Sequence, residues 1–267
     1  MSQNQLFHDD NATYFNFAKL EALAQDVVDQ SSLITRCQAG DRDAVVALKL
    51  GFWPFTSAFE KAIDKRLRAL PRKPLYAKFG HKPTREHLTA RVPEALEKLA
   101  QSEMQGAFPQ EEELRHMQRD EWKHSAHWAK DAENLGISRE QLEQAIILPS
   151  VQTLIDVASS EDIVVCFAAA YSATEFIAEA LGAKLAECQP AKQLFQRKRW
   201  IWMEVHTEPH DEGPSHEEIV MDFARAYDDS GSPARIEMLV ASGIYAFGVA
   251  ARDVEAYYGR PSLVAAE

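Results

Sequence analysis

Cysteine is scarce in this chain. Only Cys37, Cys166 and Cys188 occur, far apart and without a C-x-x-C spacing, which argues against a disulfide framework or a zinc ribbon and fits a reducing cytoplasm. Basic charge is also short: 29 Lys and Arg against 41 Asp and Glu leave a formal net charge of -12. An acidic surface is repelled by polyphosphate and by anionic lipid, so no nucleic-acid partner and no membrane partner is expected. The one basic run, 196–199 (QRKR), reads as a solvated helix face. The N-terminus has no basic segment followed by an apolar run, and no apolar stretch is expected to reach membrane-spanning length. Alternating apolar and polar residues between turn pairs are missing too, which argues against a β architecture.

What is present is helical periodicity. With 267 residues, 46% apolar content and a mean hydropathy of -0.34, the chain can bury a sizeable core, and a single all-α domain over 1–267 is expected, with flexible termini at 1–11 and 259–267. A first helix is predicted over 12–30 and a second over 41–70, capped by Asp41 and carrying the aromatic face Phe52, Trp53, Phe55 and Phe59, with Pro54 tolerated inside it. The Pro-rich and basic stretch 71–85 reads as a surface loop or lid. A helix ending at Gly136, a capping box from Ser138 to Gln141, an apolar helix over 161–187, a helix from 190 to 206 and a last helix over 234–258 complete the series.

Ligand-type side chains gather in three stretches. In DEWKHSAHW, Glu121 and His124 lie three residues apart and share a helix face, with His127 one step further on. In CFAAAYSATEFIAEALG, Glu175 stands among small apolar residues, and Glu179 follows on the same face. A carboxylate facing a core must be paired, protonated or metal-bound, exposure being the alternative. The third stretch brings His206, His210, Asp211 and His216 within eleven positions. Glu60, on the second helix, is either an inward ligand or part of a solvated face. Imidazole and carboxylate donors from several helices suit iron or manganese, and the six side chains Glu121, His124, Glu175, His206, Asp211 and His216 are enough for two ions. Glu204, Glu208 and Tyr171 are available to orient them.

The segments DEWKHSAHW, YSATEFIAEALG and RWIWMEVHTEPHDEGPSHEE resemble, in that order, the ligand-bearing helices of the heme-oxygenase-like di-metal oxidases and oxygenases. That group includes a 1-undecene-forming fatty-acid decarboxylase and a chlamydial death-domain-associated protein, and it shares its fold with thiaminase-like and pyrroloquinoline-quinone synthase C proteins. The resemblance covers roughly residues 40 to 250 and implies a heme-oxygenase-like bundle of about seven to nine helices. Glu121 and His124 match the second ligand helix, Glu175 the middle carboxylate, and His206 the first histidine of a His-x-x-x-Asp-x-x-His motif. His210 occupies the aspartate spacing of that motif, Asp211 falls one residue late, and His216 is displaced by Gly213 and Pro214.

The implied activity is that of a non-heme iron oxidase or oxygenase. It would hold Fe(II), two per chain, with manganese as an alternative, and use dioxygen on a small organic acid, amine or amino acid. Lys78, Arg197, Lys198 or Arg199 would pair a substrate carboxylate, and a homodimer is allowed for. The departures from the motif leave three outcomes open: two irons with altered ligands, one metal, or none. Two other functions remain beside this one. The first is a metal-free member of the fold working by acid–base chemistry through His124, His127 and Glu175, as the quinone-cofactor synthase does; the second is a noncatalytic helical protein that binds a ligand or partner.

Overall fold

The computed structural model describes residues 15–69, 123–196, 199–207, 216–228, 230 and 232–259. Among them there are eleven helices and no strand, so the all-α expectation holds. They are α1 (Phe17–Asp29), α2 (Ser32–Gln38), α3 (Arg42–Ala69), α4 (123–134), α5 (Arg139–Glu143), α6 (Pro149–Ala158), α7 (Ile163–Leu185), α8 (Gln189–Lys192), α9 (Ile201–Val205), α10 (His216–Ala226) and α11 (Pro233–Tyr258). The excess over the seven to nine expected comes from short helices such as α2, α8 and α9, which are too brief for their periodicity to show. The loop expected over 71–85, the terminus 1–11 and the N-terminal part of the helix carrying Glu121 lie outside the described residues.

Helix starts and stops follow local chemistry. Asn16 and Ser31 cap α1 and α2 by accepting from Lys19 N and Ile34 N. Asp41 Oδ1 accepts from the amides of Asp43 and Ala44 at 3.0 and 3.3 Å, as expected of the cap of α3. Gly136, at φ 83°, ends α4 in a left-handed turn that a side chain would strain. Ser138 and Gln141 close a reciprocal capping box on α5.

The core lies between α3, α7 and α11, with α1 against α7 and α6 against α3 and α11. Phe52, Trp53, Phe55 and Phe59 are all buried, and Phe55 meets Phe247 of α11 edge-on at 5.2 Å. Each such ring contributes roughly 1.5 to 3 kcal/mol by leaving water. Gly243 of α11 sits directly on Ala169 and Ala173 of α7.

Four expectations need correction. Cys166–Ser172 forms a π-helical segment inside α7, entirely buried, where a uniform α-helix was expected. The helix expected from 190 to 206 is broken: α8 ends at Lys192, and α9 begins anew at Ile201, whose amide is capped from another helix by Asp131. Gly259, assigned to a flexible terminus, is buried, and its carbonyl accepts from Arg36. Finally, two helices are long and apolar enough to cross a membrane by composition alone, Ile163–Leu185 and Pro233–Tyr258. The first is 78% buried inside the protein, as a core helix must be, because its alanines and small residues raise hydropathy while serving close packing.

Candidate active site

Five helices bring ligand-type side chains toward the C-terminal half of α7. Helix α4 carries His124 and His127, α7 carries Glu175 and Glu179, and α3 carries Glu60; His206 ends α9 and His216 begins α10. The centre is the histidine pair: the rings of His124 and His206 lie 4.6 Å apart, centroid to centroid, tilted by 48°. His206 Nδ1 is 2.6 Å from the carbonyl oxygen of Trp202. A carbonyl only accepts, so the proton sits on Nδ1 and the lone pair on Nε2. Removal from water pushes the His206 pKa down to about 3, and the neighbouring His124 adds to the effect, with smaller contributions from His216 and His127. The ring is therefore neutral throughout the physiological range. His127 shifts down for the same two reasons, burial first and His124 second.

The carboxylates follow around this pair. Ser125, next to His124, donates to Glu60 Oε2 at 2.9 Å, which draws buried Glu60 to α4 and decides for its inward orientation. Glu175 is 6% exposed, which excludes the solvated position, and its Oε2 lies 3.6 Å from His216 Nδ1. Glu179 is on the solvent side of the same face and shares a hydrogen bond with Glu217 of α10; that bond, together with burial, raises its pKa to about 8. A raised folded pKa means the folded chain holds a proton that the unfolded chain releases near 4.5. Stability from this pair is complete below pH 4.5 and is lost as pH rises through about 8. Glu179→Gln is expected to flatten that part of the melting-temperature profile and, because Glu179 is exposed, to stabilise by no more than about 1 kcal/mol above pH 8. Thermal melts of both proteins from pH 4 to 9 check this; parallel profiles would refute it.

Two packing features fix His206. Gly182 lies one turn beyond Glu179 on α7, and a methyl there would stand 3.1 Å from His206 Cβ and 3.2 Å from the His206 and Met203 carbonyl oxygens. Glycine thus lets the end of α9 rest on the face of α7 that carries Glu175 and Glu179. At the other end of α9, Asp131 of α4 accepts from the amides of Ile201 and Trp202, each at 3.0 Å, and from Lys49 Nζ at 3.2 Å. Lys49 and Asp131 are both fully buried. The Lys49 ammonium stands over Trp128 at 3.9 Å and Trp200 at 5.6 Å, and burial lowers its pKa while Asp131 opposes the shift.

Beside the histidines is an apolar cavity of about 70 Å³, walled by Phe52, Phe55, Trp128, Ile177, Trp202 and Phe247 among others. Trp202 is the partition: it lines the cavity, and its ring lies 4.0 Å from that of His206.

Of the residues expected to form the site, the structure pairs His124 with His206 and Glu175 with His216, sets His127 near His124, and bonds Glu60 to Ser125 of the same helix as His124. Glu121, His210 and Asp211 lie outside the described residues, as do Lys78, Arg197, Lys198 and Glu208. Arg199 is bound to Glu204 at 2.7 Å and is mostly exposed, so neither serves as expected; the backbone carbonyl of Trp202 orients His206 instead. Among the described residues, no three His, Cys, Asp or Glu side chains form a ready cage for a metal ion. Sequence reasoning missed Lys49, Asp131, Trp202 and Glu217. Asp131 carried a signal, since His124, Trp128 and Asp131 are spaced i, i+4 and i+7 on one face of α4.

No protein-family model matches the chain, and no curated protein matches it. Among solved structures it is similar to a TenA homolog from Pseudomonas syringae pv. tomato strain DC3000, with a TM-score of 0.63 and 15% identity, over 93% of this chain and 96% of that one. The fold is accordingly a helical bundle like that of the TenA homolog.

Proposed function

We propose that this chain is a non-heme iron-dependent oxidase or oxygenase acting on a small molecule with an apolar body and an acid or amine head. The observation that carries the reading is the His124–His206 pair, with the His206 proton held on Nδ1 by Trp202 so that Nε2 is free as a donor. A neutral imidazole with its second nitrogen bonded to a backbone carbonyl is the usual state of a metal-ligating histidine. The donor types suit iron or manganese: His124, His206, Glu175 and His216 would hold the metal by closing on it, since no three of them stand as a ready cage among the described residues. Glu121, Asp211 and His210 are the further candidates. Bound Fe(II), with manganese as the alternative, would supply electrons for dioxygen chemistry. The remaining work falls to the protein. The cavity takes the apolar body of the substrate and excludes water, and Trp202 sets its reactive end against the histidines.

Anaerobic titration with Fe(II) tests this directly. On the order of one to two equivalents per chain should bind, and admitting oxygen should change the near-ultraviolet or visible absorption. Protein that binds no stoichiometric iron and shows no such change would overturn the proposal.

One observation favours a second reading. Glu179, reachable from solvent and held protonated up to about pH 8 by Glu217, is suited to general acid catalysis without a metal. Full activity after exhaustive chelation would select that reading.

A further inference from the structure

A buried ion pair is an uncertain contributor to stability, because desolvating two charges offsets most of their attraction. Lys49 and Asp131 are nonetheless both at zero exposure, so their value must be sought in what they hold. Asp131 lies on α4, on the same face as His124, and its two oxygens accept from the first two amides of α9. Helix α9 is only five residues long and is separate from the helix before it, so its own hydrogen bonds cannot fix where it points. Its far end carries His206. The Trp128 ring meets the Trp202 ring edge-on at 5.0 Å, and Trp128 Nε1 donates to the Lys49 carbonyl at 3.0 Å, so the same three elements are tied twice.

We propose that Asp131, with its charge balanced by Lys49, is a positioning residue that brings His206 into register with His124. The carboxylate joins the helix bearing one histidine to the start of the helix bearing the other, across a distance that neither α4 nor α9 controls alone. The Lys49 ammonium donates to Asp131 inside the protein, and the faces of Trp128 and Trp200 shelter it from water. This inference rests on the His124–His206 site being the working site.

Two double variants separate the acceptor from the charge. Lys49→Met with Asp131→Asn removes both charges but keeps one carbonyl oxygen, enough to accept from one of the Ile201 and Trp202 amides. Lys49→Met with Asp131→Leu removes charges and acceptor together. Each is titrated with Co(II), and the rate at which diethyl pyrocarbonate modifies His206 is followed by peptide mass spectrometry in the absence of metal. The Met/Asn variant, which retains one of the two amide bonds, should fall between the parent and the Met/Leu variant in both measurements. The Met/Leu variant should lose Co(II) affinity by about 10- to 100-fold and react faster at His206 by about tenfold, at a melting temperature similar to that of the Met/Asn variant. Parent-like affinity and reactivity in the Met/Leu variant would overturn the proposal. So would failure of that variant alone to fold, because Asp131 would then serve the fold and not the ring. If His206→Ala binds Co(II) as the parent does, the metal reading fails instead, and the His206 modification rates still decide the role of Asp131.

Discussion

Gly243→Ala is expected to destabilise the protein by about 3 kcal/mol or more, a fall of roughly 10 °C in melting temperature for a chain of this size. Gly243 is buried on α11 where that helix crosses the π-helical segment of α7. A methyl group at this position would stand 2.6 Å from the Ala173 Cβ and 2.9 Å from the Ala169 carbonyl carbon, with the Ala169 oxygen closer still. Two of these three atoms belong to backbone, so no rotamer change relieves the overlap; the helices must separate. Separation would open the interface between α11 and α7 and move the residues that follow the π segment, of which Glu175 is among the first. The substitution should therefore lower stability and disturb the site together. Denaturant melts measure the first, and the Fe(II) titration the second; a loss below about 1 kcal/mol would show that the π segment yields easily.

His124→Ala and His206→Ala should each reduce Fe(II) or Co(II) affinity by at least about 100-fold and abolish turnover. Neither ring is a large part of the core. His206→Ala gives up one hydrogen bond to the Trp202 carbonyl and its contact with the Trp202 ring, worth about 1 kcal/mol or a little more. The two variants should then be folded, with melting temperatures within a few degrees of the parent, and metal-free. Metal analysis of the purified variants, with circular dichroism as the control for folding, provides the test. Unchanged metal content in both would remove these histidines from the site.

The all-α class, the capping residues of α3 and α5, the aromatic face of α3 and the sharing of one face by Glu175 and Glu179 could be read from residue order alone. These features depend on interactions within a few residues, or on a period of 3.6 that repeats often enough to be unmistakable. His124, Glu175, His206 and His216 were legible as candidates because each stands near another ligand type. Their pairing was not legible: the sequence grouped His206 with His216, whereas the fold sets His206 against His124 and His216 against Glu175. The π segment was hidden as well, because one widened turn in a run of alanines leaves the apolar pattern unchanged.

The Lys49–Asp131 pair marks the boundary most clearly. Sequence determined that Asp131 shares a face with His124 and that residues near 200 are rich in aromatic and apolar side chains. Only the tertiary structure decided that Asp131 would cap a helix starting at residue 201, seventy positions away, and that Lys49 would enter the same buried space. Capping within a helix is a contact between near neighbours, set by local backbone geometry. Capping across the chain requires three helices to be packed first, and the energy that packs them is spread over the whole core and written at no single position.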